Sequence, residues 1–303
     1  MIKIPPYLKK GDTIGITCPA GYMEAKKVQT CIHTLQSWGY EVMVGKTIGS
    51  KSTTYFSGTD EERLDEFQAM LDNKSINAIL CGRGGYGVSR IIDSLDFKQF
   101  KKQPKWIIGF SDITVLHGHL HQQIKVASLH APMANAFNGG GANKVYVQSL
   151  KNALKGIKSN YKTESYSFNR TGKCIGELIG GNLALIAHLC GSKSTYITKD
   201  KILFIEDIGE YIYNIDRMMI QLKRAGILDN LSGLIIGKFS DTKNTERPFG
   251  QSFEEIILQH ISAYDYPVCF NFPVSHEEEN VALKIGLMHT LSVTNKMVSL
   301  KEQ

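Results

Sequence analysis

The feature that most constrains the fold is an alternation, in the first half of the chain, of short apolar runs with longer amphipathic segments. Apolar residues recur every three or four positions over 23–38, 59–72 and 87–95, which is the spacing of helices. The intervening runs, rich in Ile or Val, predict strands at 13–17, 41–44, 76–81 and 105–109. Such alternation predicts a parallel sheet wrapped by helices, with functional loops at the carboxyl ends of the strands.

A second α/β region is predicted after a polar stretch at 156–172, which reads as an interdomain linker. Beyond it, strand patterns at 174–179, 202–205 and 233–237 alternate with helical patterns at 182–189 and 212–225. The tail, 281–300, alternates like small antiparallel strands. We therefore predict an N-terminal parallel-sheet α/β domain over 1–155 and a C-terminal mixed α/β domain over 173–303.

Composition excludes several classes of protein. Of 303 residues, 42% are hydrophobic and 21% charged, which is typical of globular proteins and not of disordered ones. A net charge of +6 without a long basic run is too dilute for a nucleic-acid binder. No window approaches the ~20 apolar residues of a membrane span, and the N-terminal MIKIPPYLKK lacks the apolar core of a secretion signal. Six scattered cysteines read as reduced thiols, so the predicted location is the cytoplasm.

The strongest local signal for chemistry is WIIGFSDIT (106–114), where an apolar strand runs through Gly109 and Ser111 into a helical pattern. A serine at a strand-to-helix turn has the geometry of a nucleophile elbow. The backbone N–H of the next residue, Asp112, then points to where an oxyanion would form. The match to G-x-S-x-G is incomplete, since Ile113 replaces the second glycine. The alternative is that Ser111 only caps a helix.

A serine nucleophile needs a base and an orienting carboxylate. Glu206 ends the apolar strand ILFIE, and His276 lies in a polar loop between two strand-like runs. The order Ser111, Glu206, His276 is that of elbow-type hydrolases. The alternatives are that Glu206 caps a turn, that its neighbour Asp207 is the acid, and that His276 is an exposed loop histidine.

The glycine-rich loop CGRGGYG (81–87) allows three interpretations. Its glycines could turn a backbone N–H inward as a second oxyanion donor, at Gly85. They could form a plain tight turn. They also match G-x-G-x-x-G at Gly82, Gly84 and Gly87, a dinucleotide-binding pattern, although it follows the third strand and not the first.

Arg83 and Tyr86 flank the central glycines of this loop and are candidates to hold a substrate carboxylate, because a guanidinium binds one bidentately. A structural salt bridge is the alternative for Arg83. The helix histidines His117, His119 and His121 lack a companion acid and a third ligand in suitable spacing, so no metal site is predicted.

These residues together resemble the LD-carboxypeptidase family, serine peptidases that include muramoyltetrapeptide carboxypeptidase and the microcin C immunity peptidase. The resemblance implies a triad of Ser111, Glu206 and His276, and oxyanion donors at the backbone of Asp112 and of the glycine loop. It also implies homodimers and requires no cofactor. The matching stretches span nearly the whole chain in order and are GDTIGITCPAG, CGRGGYG, IIGFSDIT, LIGGNLAL, LFIEDIGEYIYNIDRMMIQLKRAGIL, GLIIGKFSD and NFPVSHEEENVALKIG.

The compact length favours the tetrapeptide enzymes of that family over the microcin type, which carry longer inserted loops. The implied reaction releases terminal D-alanine from murein tetrapeptides in peptidoglycan recycling. A microcin-type aminoacyl-nucleotide peptidase, a dinucleotide-dependent oxidoreductase using the glycine loop, and an inactive peptide-binding module are the alternatives.

Overall fold

A computed structural model of the protein describes residues 2–303, which divide into two compact units. The first unit runs to Ile157 and includes Val281–Lys284. The second comprises Lys158–Asn280 and Ile285–Gln303. The chain therefore returns briefly to the first unit close to its C-terminal end.

The first unit is built on a six-stranded sheet with the strand order β11-β5-β4-β3-β1-β2. The pairings of β1 with β2 and β3, of β3 with β4, and of β4 with β5 are all parallel. In chain order its elements are β1 (Thr13–Thr17), α1 (Ala25–Ser37), β2 (Glu41–Val44), α2 (Asp60–Asp72), β3 (Ile76–Cys81), α3 (Val88–Ile91), α4 (Lys98–Lys102), β4 (Trp106–Gly109), α5 (Thr114–His119), β5 (Ser128–His130), α6 (Val145–Leu154) and, from the end of the chain, β11 (Leu283–Ile285).

Helix α2 shows how the sequence sets these boundaries. Thr59 accepts a hydrogen bond from the N–H of Glu62, and the Glu62 carboxylate accepts one from the N–H of Thr59, so both ends of a capping box are made. Acidic residues fill the first turn, where the helix dipole favours negative charge. The apolar face of α2 is buried through Phe67 and Leu71.

The second unit has a mixed sheet with the order β10-β9-β8-β7-β12-β13-β6. Strands β7 to β10 pair in parallel, whereas β12 pairs antiparallel with β7 and β13, and β13 pairs antiparallel with β6. The elements are β6 (Asn160–Glu164), β7 (Gly172–Asn182), α7 (Leu183–Leu189), β8 (Lys201–Ile208), α8 (Ile212–Arg224), β9 (Gly233–Ser240), α9 (Phe253–His260), β10 (Val268–Cys269), β12 (Met288–Val293) and β13 (Met297–Glu302).

The predicted fold class is confirmed: an α/β chain with a parallel N-terminal sheet and a mixed C-terminal region. The core of the second unit is formed by inward side chains of β8 and β9 against α8 and α9, with Leu203, Ile215, Leu234 and Ile257 fully buried. Among the described residues, no helix combines the length and apolar character needed to cross a bilayer.

The segment predicted as a linker, 156–172, contains an element that the sequence analysis did not anticipate. Within it, Asn160–Glu164 form the edge strand β6, whose residues alternate between half-buried and exposed. An edge strand of this kind carries polar side chains because one side of its backbone has no neighbouring strand. Its polar composition therefore has a structural cause other than flexibility.

Candidate active site

The turn that carries the predicted nucleophile, Ser111–Ile113, follows the end of β4 and is called the nucleophile turn. Ser111 has φ +62°, in the left-handed region, and begins a 3₁₀ turn (Ser111–Ile113) that leads into α5. This conformation costs an L-residue roughly 1–2 kcal/mol, and such strain concentrates at functional sites. Gly109 is required because a Cβ there would lie 2.8 Å from Cγ1 of Ile113. The start of neither helical segment shows a side-chain capping bond, which disfavours the capping role for Ser111.

His117 fixes the strand end that precedes this turn. It is fully buried, and its Nε2 lies 2.9 Å from the carbonyl oxygen of Gly109 while its Nδ1 lies 2.8 Å from Oγ of Ser128. Burial lowers the pKa of His117 to about 4, so the ring is neutral at pH 7. Nε2 therefore donates to Gly109 and Nδ1 accepts from Ser128. In the sequence, this histidine was a candidate only for metal binding, and no local pattern indicated its supporting role.

The glycine loop packs directly on the nucleophile turn. A Cβ at Gly84 would lie 2.9 Å from Cβ of Ser111 and 3.2 Å from the backbone nitrogen of Asp112. The carbonyl of Gly84 accepts a hydrogen bond from the N–H of Gly21, at 3.0 Å. Gly85 follows, exposed and with φ +99°, a conformation that favours glycine. The candidate oxyanion donors at Asp112 and Gly85 therefore lie on adjoining segments of one unit.

At the other two glycines of the dinucleotide pattern, the atoms that leave no room for a side chain belong to the protein itself. A Cβ at Gly82 would lie 2.9 Å from Sγ of Cys18, and one at Gly87 would lie 2.8 Å from Nη1 of Arg63. In a dinucleotide fingerprint, glycines open space for a pyrophosphate at the start of a long helix. Here, other atoms of the protein occupy the space beside these glycines. The helix that follows, α3, is only four residues long.

Two buried charged side chains hold the end of the glycine loop. The Asp112 carboxylate accepts the N–H of Val88 at 2.8 Å, and burial raises the pKa of Asp112 to about 6. Arg63 donates through Nη1 to the carbonyl oxygens of Pro19, at 2.5 Å, and of Gly87, at 3.1 Å. Arg63 was not singled out from the sequence, since an arginine in a helical pattern usually lies at the surface.

Arg83 and Tyr86, the predicted substrate contacts, are both exposed beside these glycines. Nη1 of Arg83 donates to the carbonyl oxygen of Tyr22 at 2.6 Å. That bond orients the guanidinium and uses one of its five N–H donors. The Tyr86 ring lies 5.9 Å from that of Phe56. Tyr86 is therefore already engaged in a structural contact.

In the second unit, Glu206 and His276 form a close pair. Nδ1 of His276 lies 2.6 Å from Oε2 of Glu206, which is fully buried near the carboxyl end of β8. The pairing of β8 with β9 shifts register between Ile205 and Asp207. Such an irregularity changes the direction in which the local side chains point. Oε1 of Glu206 is buried and has no hydrogen-bond partner among the described residues. The Glu206 carboxylate therefore bonds to His276 through Oε2 and makes no hydrogen bond to the described residues through Oε1.

The electrostatics of this pair favour a charged imidazole. Burial works against protonation of His276, but the charge of Glu206, its hydrogen bond and the charge of Asp207 together outweigh it. The pKa of His276 is therefore raised above its usual value of about 6.5. The bond from Nδ1 to Glu206 places the proton of the neutral ring on Nδ1, so Nε2 is the basic nitrogen of that tautomer.

Asp207, the competing acid, has a different role. Its carboxylate accepts from Nδ2 of Asn182 at 2.7 Å, from the N–H of Ala184 at 2.9 Å and from the N–H of Ile208 at 2.8 Å. Burial and the nearby charge of Glu206 raise the pKa of Asp207 to about 7. These contacts hold the start of α7, so the structure separates the two acids: Glu206 contacts the histidine and Asp207 caps a helix.

The loop that carries His276 is held against β9. A Cβ at Gly237 would lie 2.3 Å from the carbonyl oxygen of Val274, so the loop can approach only a glycine there. The neighbouring N–H of Lys238 donates to the same oxygen at 3.0 Å. Nζ of Lys238 pairs with Glu277 at 3.3 Å and with Glu279 at 2.7 Å. The acidic run beside His276, which reads as a solvated loop in sequence, is therefore anchored.

The predicted site residues thus fall into two groups. Ser111, Asp112, Gly85, Arg83 and Tyr86 belong to the first unit, and the Glu206–His276 pair belongs to the second. Each group is ordered by contacts within its own unit. In the part of the chain that the structure describes, no cluster of three or more His, Cys, Asp or Glu side chains is arranged to hold a metal ion.

Comparison with known proteins places both units in one family. A family model described as the LD-carboxypeptidase N-terminal domain matches residues 14–131, and one described as the LD-carboxypeptidase C-terminal domain matches residues 175–291. A Bacillus subtilis protein named "Probable murein peptide carboxypeptidase" is 33% identical over 295 residues, covering 96% of this chain and 92% of its own length.

Two further relatives cover almost the entire chain. The crystal structure of muramoyltetrapeptide carboxypeptidase from Oxalobacter formigenes superposes with a TM-score of 0.86 at 29% identity, covering 96% of this chain and 98% of its own. The microcin C7 self-immunity protein of Escherichia coli is 27% identical over 332 residues, covering 98% of this chain and 95% of its own. On these matches the protein belongs to the LD-carboxypeptidase family and is a peptidase of that family.

Proposed function

We propose that the protein is a serine carboxypeptidase that releases terminal D-alanine from murein tetrapeptides, with Ser111 as nucleophile, His276 as base and Glu206 as the orienting acid. The observation that carries the proposal is the 2.6 Å contact between Nδ1 of His276 and the buried Glu206. Such a contact fixes the tautomer that a serine nucleophile requires of its base. The strained backbone at Ser111 supports the assignment of the nucleophile.

In the proposed reaction, Nε2 of His276 takes the hydroxyl proton of Ser111 as its oxygen attacks the carbonyl carbon beside D-alanine. The backbone N–H groups of Asp112 and Gly85 receive the oxyanion. Protonated His276 then gives its proton to the departing amine, and D-alanine leaves. Water, deprotonated by His276, hydrolyses the acyl-enzyme and restores Ser111.

The substrate assignment rests on the chemistry of a small anionic peptide and on the relatives. The B. subtilis and O. formigenes proteins carry murein or muramoyltetrapeptide carboxypeptidase names. We assign Arg83 to the terminal carboxylate of the substrate, since its guanidinium is exposed and already oriented by Tyr22. Tyr86 would contact the substrate beside that carboxylate. The net charge of +6 suits an anionic ligand.

The test is D-alanine release from a purified murein tetrapeptide by the wild type and by Ser111→Ala. We expect the variant to lose at least about 10⁴-fold in kcat, because the residual rate then comes from binding and the oxyanion donors alone. Unchanged circular dichroism and thermal midpoint would confirm that the fold is intact. Turnover retained by Ser111→Ala would remove this serine from the mechanism.

Parallel assays separate the alternatives. Cleavage of an aminoacyl nucleotide in place of the tetrapeptide would indicate the activity class of the microcin-type relatives. Thermal stabilisation by NAD would support the dinucleotide interpretation of the glycine loop. Tetrapeptide binding without turnover would indicate a peptide-binding module. The proposal includes a homodimer acting in the cytoplasm, and light scattering should then give twice the mass of one chain.

A further inference from the structure

The side chain of Asp112 joins the nucleophile turn to the glycine loop. Asp112 directly follows Ser111, is fully buried, and accepts the N–H of Val88 through Oδ2 at 2.8 Å. Val88 follows Gly87, the last glycine of the loop. The two segments are 24 residues apart in sequence, so this bond is a tertiary contact and not part of either turn.

The same loop is held at two other points. Gly84 lies against Ser111, with a virtual Cβ contact of 2.9 Å, and its carbonyl accepts the N–H of Gly21 at 3.0 Å. Arg63 donates to the carbonyl oxygen of Gly87 at 3.1 Å. Gly85 lies between these fixed points, and its N–H belongs to the same planar peptide unit as the Gly84 carbonyl that Gly21 holds. Among these contacts, only the bond from Asp112 comes from a side chain of the nucleophile turn itself.

We propose that the Asp112 carboxylate is a positioning residue that holds the glycine loop so that the N–H groups of Gly85 and Asp112 converge on one oxyanion. This inference rests on the proposed function. A donor in such a site stabilises the transition state only if it is already aimed at the oxyanion, because reorientation during the reaction would consume the benefit. Asp112 would thus supply one oxyanion donor through its own backbone N–H and would orient the other donor, the N–H of Gly85, through its side chain.

Burial has the largest effect on the pKa of Asp112 and raises it to about 6, while the neighbouring positive charge and N–H groups act in the opposite direction, so the carboxyl group is largely ionised at pH 7. Arg63 approaches from α2 and favours the carboxylate, whereas Cys81 on β3 is a buried thiol whose own pKa burial raises well above the usual value. The backbone N–H groups of Gly87 and Val88 also favour the charged form. A carboxylate accepts these bonds more strongly than a neutral acid does.

The experiment measures kcat and KM for D-alanine release from a murein tetrapeptide, per folded molecule, for the wild type, Asp112→Ala and Asp112→Asn. We expect Asp112→Ala to lower kcat about 10- to 100-fold, less than the ~10²- to 10³-fold loss on deleting a donor outright. KM should change less than about twofold, because the oxyanion exists only after attack. Asp112→Asn keeps an oxygen that can accept the N–H of Val88, and turning the amide would set its NH₂ against that N–H. The NH₂ therefore replaces Oδ1, which is buried without a hydrogen-bond partner among the described residues, and this should cost about 1–3 kcal/mol of stability. The kcat per folded molecule should nevertheless return to within about fivefold of the wild type.

A matched control separates positioning from stability. Thr59→Ala removes the capping box of α2 in the same unit and is expected to lower the thermal midpoint without changing kcat. If Asp112→Ala does not fold, Asp112→Ser serves in its place, since its hydroxyl is too short to reach Val88. Recovery by Asn but not by Ser would then be the expected signature.

Two outcomes would overturn the inference: an unchanged kcat in Asp112→Ala or Asp112→Ser, or a loss that Asp112→Asn does not recover. The result with Ser111→Ala distinguishes this failure from that of the proposed function. If Ser111→Ala is inactive while Asp112→Ala turns over normally, only the positioning role is lost. If Ser111→Ala is active, the serine mechanism itself is lost.

Discussion

Replacing Glu206 by glutamine should disable the histidine by reversing its tautomer. Oε2 of Glu206 accepts from Nδ1 of His276 at 2.6 Å, while Oε1 is buried without a partner among the described residues. A glutamine that kept its oxygen toward His276 would bury its NH₂ group where Oε1 now lies. An unsatisfied buried donor costs about 1–3 kcal/mol. The amide is therefore expected to turn, donate to Nδ1 and leave the ring proton on Nε2.

A ring protonated at Nε2 cannot take the proton of Ser111, so the loss of activity should be large. Neutralising the buried acid in a chymotrypsin-type triad lowers kcat about 10⁴-fold. At 1.36 kcal/mol per factor of ten, that is about 5.4 kcal/mol of transition-state stabilisation. We expect a loss of this order in Glu206→Gln, with KM nearly unchanged.

The pH dependence gives an independent readout with a definite sign. His276 must be neutral to act as a base, and its raised pKa means that activity is lost as the pH falls through a value above about 6.5. Without the negative charge of Glu206, burial dominates and the pKa of His276 falls. The acidic limb of the pH–rate profile should therefore move to lower pH in Glu206→Gln.

The free energy of unfolding should also depend on pH through the protonation of His276. Protonated His276 stabilises the folded wild type fully below the unfolded pKa of about 6.5, and this contribution is lost as the pH rises through the raised folded pKa. In Glu206→Gln, burial holds the folded pKa of His276 below the unfolded value, so the contribution of His276 changes sign. Urea unfolding across pH 5 to 8 should show this contribution rising with pH in the variant and falling with pH in the wild type. Nitrogen chemical shifts of labelled His276 would report the tautomer directly.

Asp207→Asn is the matched control, because Asp207 is a buried acid on the same strand that contacts Asn182 and Ala184. It should reduce the free energy of unfolding through α7 while keeping kcat within about fivefold of the wild type. If Glu206→Gln retained kcat within about tenfold and its acidic limb did not move, Glu206 would not set the tautomer or the pKa of His276.

Two further predictions concern backbone geometry. Ser111→Gly should exceed Ser111→Ala in free energy of unfolding by about 1 kcal/mol, because glycine adopts the left-handed conformation at φ +62° without the penalty of a Cβ; equal stability in urea denaturation would contradict the strain. Gly237→Ala should destabilise the protein by roughly 2 kcal/mol or more and reduce kcat, since its Cβ would lie 2.3 Å from the carbonyl oxygen of Val274 and displace the loop that carries His276. Wild-type unfolding and turnover in that variant would show that the loop is not held there.

The strands of the first unit could be predicted closely because each is a short run rich in apolar and β-branched residues, bounded by turn residues. The predicted runs at 13–17, 41–44 and 76–81 coincide with β1, β2 and β3. β6 was missed, since an exposed edge strand and a polar linker share the same residue types. The sequence also left open whether Glu206 or Asp207 was the acid, because both follow the same apolar run.

By itself, the sequence determined the α/β class, the strand-to-turn-to-helix setting of Ser111 and the positions of Glu206 and His276. These depend on hydrophobic periodicity and on local turn chemistry, which neighbouring residues encode. Only the tertiary structure decided which acid contacts the histidine, that His117 is a buried support, and that Arg63 and Asp112 hold the glycine loop. Those contacts join segments far apart in the chain, and the burial and partners of a polar side chain follow from packing, which no local pattern records.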